Sequence, residues 1–157
     1  MKTLFLSVFD GLFSSHTKEN SKKTENNLFL TSTNPTTGRT LIIEEYTYSV
    51  WAYMLRSDKE AIDFEGYLCT VVDPKSIDFS TDKTSKNKKE VPLPPTLVSR
   101  YSYIRNLKKE DVHINWKEEQ AIIHIRNKPY LIMDVITKTS YSKGLAYDCE
   151  YGKVLEL

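Results

Sequence analysis

Residues 111–137 set the pattern for the chain. They read DVHINWKEEQAIIHIRNKPYLIMDVIT, short apolar runs alternating in period two and separated by polar turns. Successive strand side chains point to opposite faces, so such a segment buries one face of an antiparallel sheet. With Lys117-Glu118-Glu119-Gln120 as the turn, Trp116 pairs with Ala121, Ile114 with Ile123 and Val112 with Ile125. These side chains share one face. His113 then falls opposite His124, and Asn115 opposite Ile122, on the other. A one-residue slip would expose the whole apolar set, so the register is strongly specified. Asn127-Lys128-Pro129 turns the chain into a strand over 130–137, and Lys143-Gly144 marks a turn ahead of a short final strand.

The same reading runs upstream. A short strand is expected over 28–31, then a turn at Asn34-Pro35-Thr36-Thr37-Gly38. Residues 39–55, RTLIIEEYTYSVWAYML, form one long strand or two with a kink near Glu44-Glu45-Tyr46, because Thr, Ile, Val, Tyr and Trp favour strand over helix. After a turn at Ser57-Asp58-Lys59-Glu60, residues 61–72 return as the next strand. Arg56 opposite Ala61 puts Leu55 across from Ile62, Tyr53 from Phe64, and Trp51 from Gly66, whose missing side chain leaves room for the indole. Ala52 then faces Glu65 and Met54 faces Asp63, giving one apolar and one mixed face. Over 73–95 the pattern is lost in a long Lys- and Pro-rich stretch, read as a solvated surface loop, with phosphate contact by its lysines the sharper alternative. Residues 96–107 fit either a strand or helical turns. The fold class expected is mainly β (α+β possible): an antiparallel twisted sheet or β-sandwich of six to eight strands, with at most one or two short helices.

Length and charge narrow this further. A chain of 157 residues supports a single domain, here with an N-terminal element and polar linker over 1–27. The segment over 1–16 is only faintly like a secretory signal, because Asp10 interrupts its apolar stretch and no small-residue cleavage site follows. It is also too short to span a bilayer. A cytoplasmic protein is the expectation. Net charge of +1 argues against nucleic acid or an anionic membrane as partner. Ten tyrosines suit strand faces first and an interface second. Cys69 and Cys149 stand far apart with no metal-like spacing and read as free thiols.

Catalytic chemistry is sparse. The five glycines form no phosphate-binding loop, and no Ser sits in a nucleophile elbow. His113 and His124 form the one cross-strand metal-ligand pair, a weak candidate with no obvious third ligand. Of the neighbouring carboxylates, only Asp63 and Glu65 are expected to act together, since adjacent strand residues diverge. Neither catalytic residues nor a cofactor are assigned. The expectation is a non-enzymatic protein.

Two blocks carry a resemblance. In LIIEEYTYSVWAYMLRSDKEAIDFEGYLCTV the residues concerned are Ile43, Glu44, Glu45, Ala52, Tyr53, Asp63, Gly66, Tyr67 and Leu68. In DVHINWKEEQAIIHIRNKPYLIMDV and the following KGLAY they are Trp116, Ala121, Ile123, Ile125, Tyr130, Lys143 and Gly144, with a proline-rich connection at 92–95 between the blocks. Over about 39–147 the chain resembles a group of small, uncharacterised bacterial β-rich proteins similar to toxin-immunity proteins of type VI secretion and polymorphic toxin systems. It departs from that group's W-L-Y-N strand, reading Gly66-Tyr67-Leu68-Cys69 instead. The resemblance implies inhibition of a cognate protein toxin by occluding its active site. Contact residues are then expected among Glu44, Glu45, Asp63, Glu65 and Tyr67 on the mixed face, with Tyr101 and Tyr103 beside the long loop. Acidic residues would suit a basic nuclease cleft. An assembly module pairing through an exposed strand edge is the alternative, and oligomeric state is left open.

Overall fold

A computed structural model describes residues 27–79 and 88–156. The N-terminal element expected over 1–16 and most of the linker after it lie outside the described residues. Two sheets form, each in strict chain order. The first is the antiparallel set β1 (Phe29–Thr33), β2 (Thr40–Glu45), β3 (Ser49–Leu55) and β4 (Ile62–Thr70). The second is β5 (Val112–Lys117), β6 (Gln120–Ile125), β7 (Lys128–Asp134), β8 (Thr139–Ser142) and β9 (Lys153–Val154), antiparallel except for the parallel β8–β9 pair. The protein is therefore mainly β; the described residues hold nine strands rather than six to eight, and their helical content is a few 3-10 turns.

The sheets stack face to face over an aliphatic core. Leu41, Ile43, Ala52, Met54 and Leu68 of the first meet Ala121, Ile123, Ile125, Leu131 and Met133 of the second. The β5–β6 register is the one the alternation specified, Val112↔Ile125 through Trp116↔Ala121 with His113↔His124 on the outer face. Val112, Ala121, Ile123 and Ile125 are buried, while Ile114 and Trp116 on the edge strand are half-buried. Glu118 takes φ +54° in the two-residue turn, and Arg126 and Asn127 take +49° and +69° in the next. Positive φ matches the twist of tight hairpins. The second turn therefore comes one residue earlier than expected, and Lys128 already opens β7.

The β3–β4 register needs correction. Leu55 does face Ile62, but a β-bulge follows, so Met54 faces Phe64, Tyr53 faces Glu65, Ala52 faces Gly66 and Trp51 faces Tyr67. The extra residue at the bulge is Asp63, which receives Arg39 Nη2 at 2.7 Å and Lys138 Nζ at 3.2 Å. A bulge re-aims a side chain, and here it turns a carboxylate toward two cations that local alternation cannot reveal. Gly66 makes room for the opposite sheet rather than for Trp51: a Cβ there would stand 2.9 Å from Ser140 Cβ and 3.1 Å from Leu131 Cδ1.

Neither face of β3 is exposed, contrary to the mixed face expected. Ile42, Trp51, Tyr53, Leu55, Ile62 and Tyr67 form a second buried cluster on the outer side of the first sheet, with Leu93 and Leu145 laid over them. The stretch expected to be a solvated loop thus supplies part of a lid, and Leu93 within it is buried. Residues 96–107 are neither strand nor helix but a run of turns with isolated bridges, Val98↔Leu145 and Thr70↔Tyr103. Among the described residues no helix is long and apolar enough to cross a membrane.

Candidate functional site

Most of the acidic residues expected to contact a partner are engaged internally. On the outer face of the first sheet, Tyr46 OH donates to Glu44 Oε1 at 3.0 Å and lies 2.7 Å from Tyr53 OH. Each phenol has one proton. Tyr46 directs its own at Glu44, so Tyr53 must donate to Tyr46, giving the ordered chain Tyr53→Tyr46→Glu44. Burial pushes the Glu44 carboxyl above its ordinary pKa, partly offset by the Tyr46 bond, and nearby Glu90 adds to the rise. Burial likewise raises Tyr46 and Tyr53 well above the usual phenol range. Thr47 Oγ1 donates to Glu90, and Lys89 spans the remaining gap, with Nζ 2.9 Å from Glu65 and 3.9 Å from the centre of the Trp51 ring. Tyr67 and Tyr151 pack edge-on against the same indole. This is a fastening between lid and sheet.

Other expected residues are placed as follows. Glu45 accepts the Leu28 N–H at 3.0 Å, and burial raises its pKa. Burial pushes the Asp63 carboxyl up, but hydrogen bonds and charge from Arg39 and Lys138 outweigh it and leave the pKa below the ordinary value. Asp63 and Glu65 serve different cations and do not act together. Tyr67 is fully buried, with its hydroxyl bonded to Thr70, and so does not lie on a mixed, charged face. Tyr103 is half-buried beside Thr70.

Tyr101 differs from all of these, at 42% exposed. Buried Ser102 and Ile104 anchor its loop: Thr70 N–H donates to Ser102 C=O at 2.7 Å and Ile104 N–H to Thr70 C=O at 2.9 Å. Ser99 ties the other end, donating through Oγ to Lys143 C=O at 2.7 Å and through N–H to Gly144 C=O at 2.8 Å. That tie brings two cations to one ring. Arg100 lies over Tyr101, 4.9 Å from its centre, and donates to its hydroxyl at 2.7 Å. Lys143 Nζ sits 4.8 Å from the Tyr101 ring and 4.9 Å from that of Tyr130. The Arg100 bond and charge, with Lys143 and Lys128 adding, hold the Tyr101 phenol below its usual pKa. A rigid exposed ring with guanidinium and ammonium groups around it suits recognition of carboxylate- or phosphate-bearing surfaces. Sequence reasoning named Tyr101 but missed Arg100, its immediate neighbour in the chain, and Lys128 and Lys143, which no local signal joins to it.

His113 and His124 do face each other, and His124 Nδ1 lies 3.3 Å from Asn115 Nδ2. Among the described residues no group of three His, Cys, Asp or Glu is arranged to hold a metal ion. Cys69 and Cys149 are both free; Cys69 is buried, which pushes its thiol pKa up. An open depression of about 240 Å³ between the β5–β6 and β7–β8 turns is lined by Lys117, Glu118, Glu119, Gln120, Asp134 and Ile136. Of its carboxylates, Asp134 is committed to Gln120 Nε2 at 3.0 Å and to the backbone of the following turn. No protein-family model, curated protein or solved structure matches this chain.

Proposed function

We propose that this protein acts by binding another protein, with Tyr101, Arg100 and Lys143 at the centre of contact, and that it is an immunity protein neutralising a cognate bacterial toxin. The observation that carries the reading is the exposed Tyr101 ring fixed between two cations. Tyr and Arg dominate interface hot spots because they combine large contact area with directed polar groups. The charge of this surface shifts the partner chemistry from the basic cleft first expected to an acidic surface. The acidic candidates support the fold through internal bonds.

The test is co-expression with the protein encoded beside it, scored by growth rescue and by co-purification. Tyr101→Ala, Arg100→Glu and Lys143→Glu should each weaken binding by roughly tenfold or more, with melting temperature little changed. Undiminished rescue by the triple variant would sink this reading. A spectroscopic check needs no partner. The Tyr101 phenol, isolated as the difference between the unaltered chain and Tyr101→Phe in an ultraviolet pH titration, should ionise below the ordinary phenol value, and Arg100→Gln should move that step up. Because the folded pKa is depressed, this group's stabilising contribution is present above the unfolded pKa and is lost as pH falls through the folded one.

A further inference from the structure

We infer that β1 is a pairing edge for a second copy of this chain, joining two first sheets into one continuous sheet. Glu45 N–H donates to Leu28 C=O at 2.9 Å and Asn34 N–H to Arg39 C=O at 2.8 Å, which fixes the phase of the β1–β2 ladder. In that phase Leu30 and Ser32 exchange bonds with β2. Phe29, Thr31 and Thr33 direct their N–H and C=O groups away from it. Among the described residues none of these outward groups has a partner.

Natural edges are blunted by charge, proline, bulges or shortness. β4, the other edge of this sheet, has two irregularities of register and carries Asp63 and Glu65. β9 is two residues long, and β5 ends in Lys117. β1 reads Phe-Leu-Thr-Ser-Thr, with no charge, proline or bulge in its pairing. An extended strand is the chemistry that covers such an edge.

The pattern is also compatible with itself. An antiparallel copy centred on Thr31 sets Phe29 against the copy's Thr33 and Thr31 against its own counterpart, exchanging about six main-chain hydrogen bonds. Thr–Thr pairs and an aromatic beside a β-branched residue are favourable neighbours. The two-fold axis stands perpendicular to the sheet, so it also carries β5 toward the β5 of the copy. The two strands lie on the same side of the sandwich, where Trp116 Nε1 donates to Ser32 Oγ at 2.9 Å and Asn34 Nδ2 to Glu118 C=O at 3.0 Å. Ile114 and Trp116, half-buried in the single chain, would gain cover there.

Sedimentation velocity on the full chain, from micromolar to millimolar concentration, should show a monomer–dimer equilibrium. Thr31→Lys sets like charges on the axis and should weaken it by roughly tenfold or more. Thr31→Pro removes an outward N–H while leaving the ladder bonds to β2, and should act the same way. Amide exchange on the unaltered chain tests the edge directly. Phe29, Thr31 and Thr33 should exchange rapidly when dilute and become protected as concentration rises, while Leu30 and Ser32 stay protected throughout. A chain that stays monomeric at every concentration overturns the inference. So does concentration-independent protection of the three outward amides, because the edge would then be covered from within.

Discussion

The two faces of β3 are equally buried but built on different principles. Inward, Val50, Ala52 and Met54 join a mostly aliphatic core in which Cys69 and the Phe64 ring are further neighbours and no charged group takes part. Outward, Trp51 and Tyr53 meet Tyr46, Glu44, Glu65 and Lys89, and the buried polar atoms Ser49 Oγ and Trp51 Nε1 have no hydrogen-bond partner among the described residues. An aliphatic face is stabilised by the area it removes from water and is indifferent to direction. A polar–aromatic face depends on direction, since each group costs free energy unless its partner arrives. The inner face is closed by a second sheet, and the outer one by loops held at single points such as Lys89.

Substitutions at either face should separate the two kinds of closure. The largest loss is expected inward: Leu131→Ala, at a fully buried position between the sheets, should cost about 2–5 kcal/mol in denaturant unfolding. Lys89→Ala should cost less, about 1–2 kcal/mol, while shifting Trp51 fluorescence, and Lys89→Arg should restore much of it. If Leu131→Ala proved milder than Lys89→Ala, the contrast between the faces would fail.

Within the phenol chain the proton order predicts an asymmetry. Tyr46→Phe deprives Glu44 of its donor and Tyr53 of its acceptor, whereas Tyr53→Phe removes one bond and leaves Glu44 satisfied. The first should cost about 2 kcal/mol and the second about 1. Equal costs would mean the protons are ordered otherwise.

The smallest effect carries the opposite sign. Glu44→Gln keeps an acceptor for Tyr46 and removes a carboxylate whose folded pKa is raised by burial. Such a group favours the fold below its unfolded pKa, and that advantage is lost as pH rises through the folded value. The variant should therefore melt about a degree or two higher at neutral pH and gain nothing near pH 4, compared in parallel thermal melts.

What could be read from the sequence followed the same division. The β5–β6 register was legible from Trp116↔Ala121 to Val112↔Ile125 because one buried face and an unbroken ladder leave no alternative; only the Lys117↔Gln120 pair, read as part of the turn, was missed. β3 and β4 were legible as strands, but their pairing beyond Leu55 was not. The bulge at Asp63 is tied to Arg39 and Lys138, cations distant in sequence. The burial of Tyr67 was hidden for a similar reason: its cover comes from residues near 93 and 145, where no periodicity announces a buried face. Tyr101 could be named from residue type and neighbourhood. Its pairing with Lys143 could not, because Ser99 and Gly144 meet only once the loop is folded.

Strand order equals chain order in both sheets, and this bears on how the molecule is assembled. Every antiparallel neighbour within a sheet is joined by a local turn or short connection, so the ladders require little loop closure. The long-range contacts are those between the sheets, such as Gly66 against Ser140. Each meander can therefore gain its pairing early, leaving docking of one sheet on the other as the late and slow event. Kinetic φ-values should then be higher for the β5–β6 and β6–β7 pairs than for Leu41 or Met54, which make their main contacts across the sandwich. The reverse order would show that collapse of the aliphatic core comes before the hairpins.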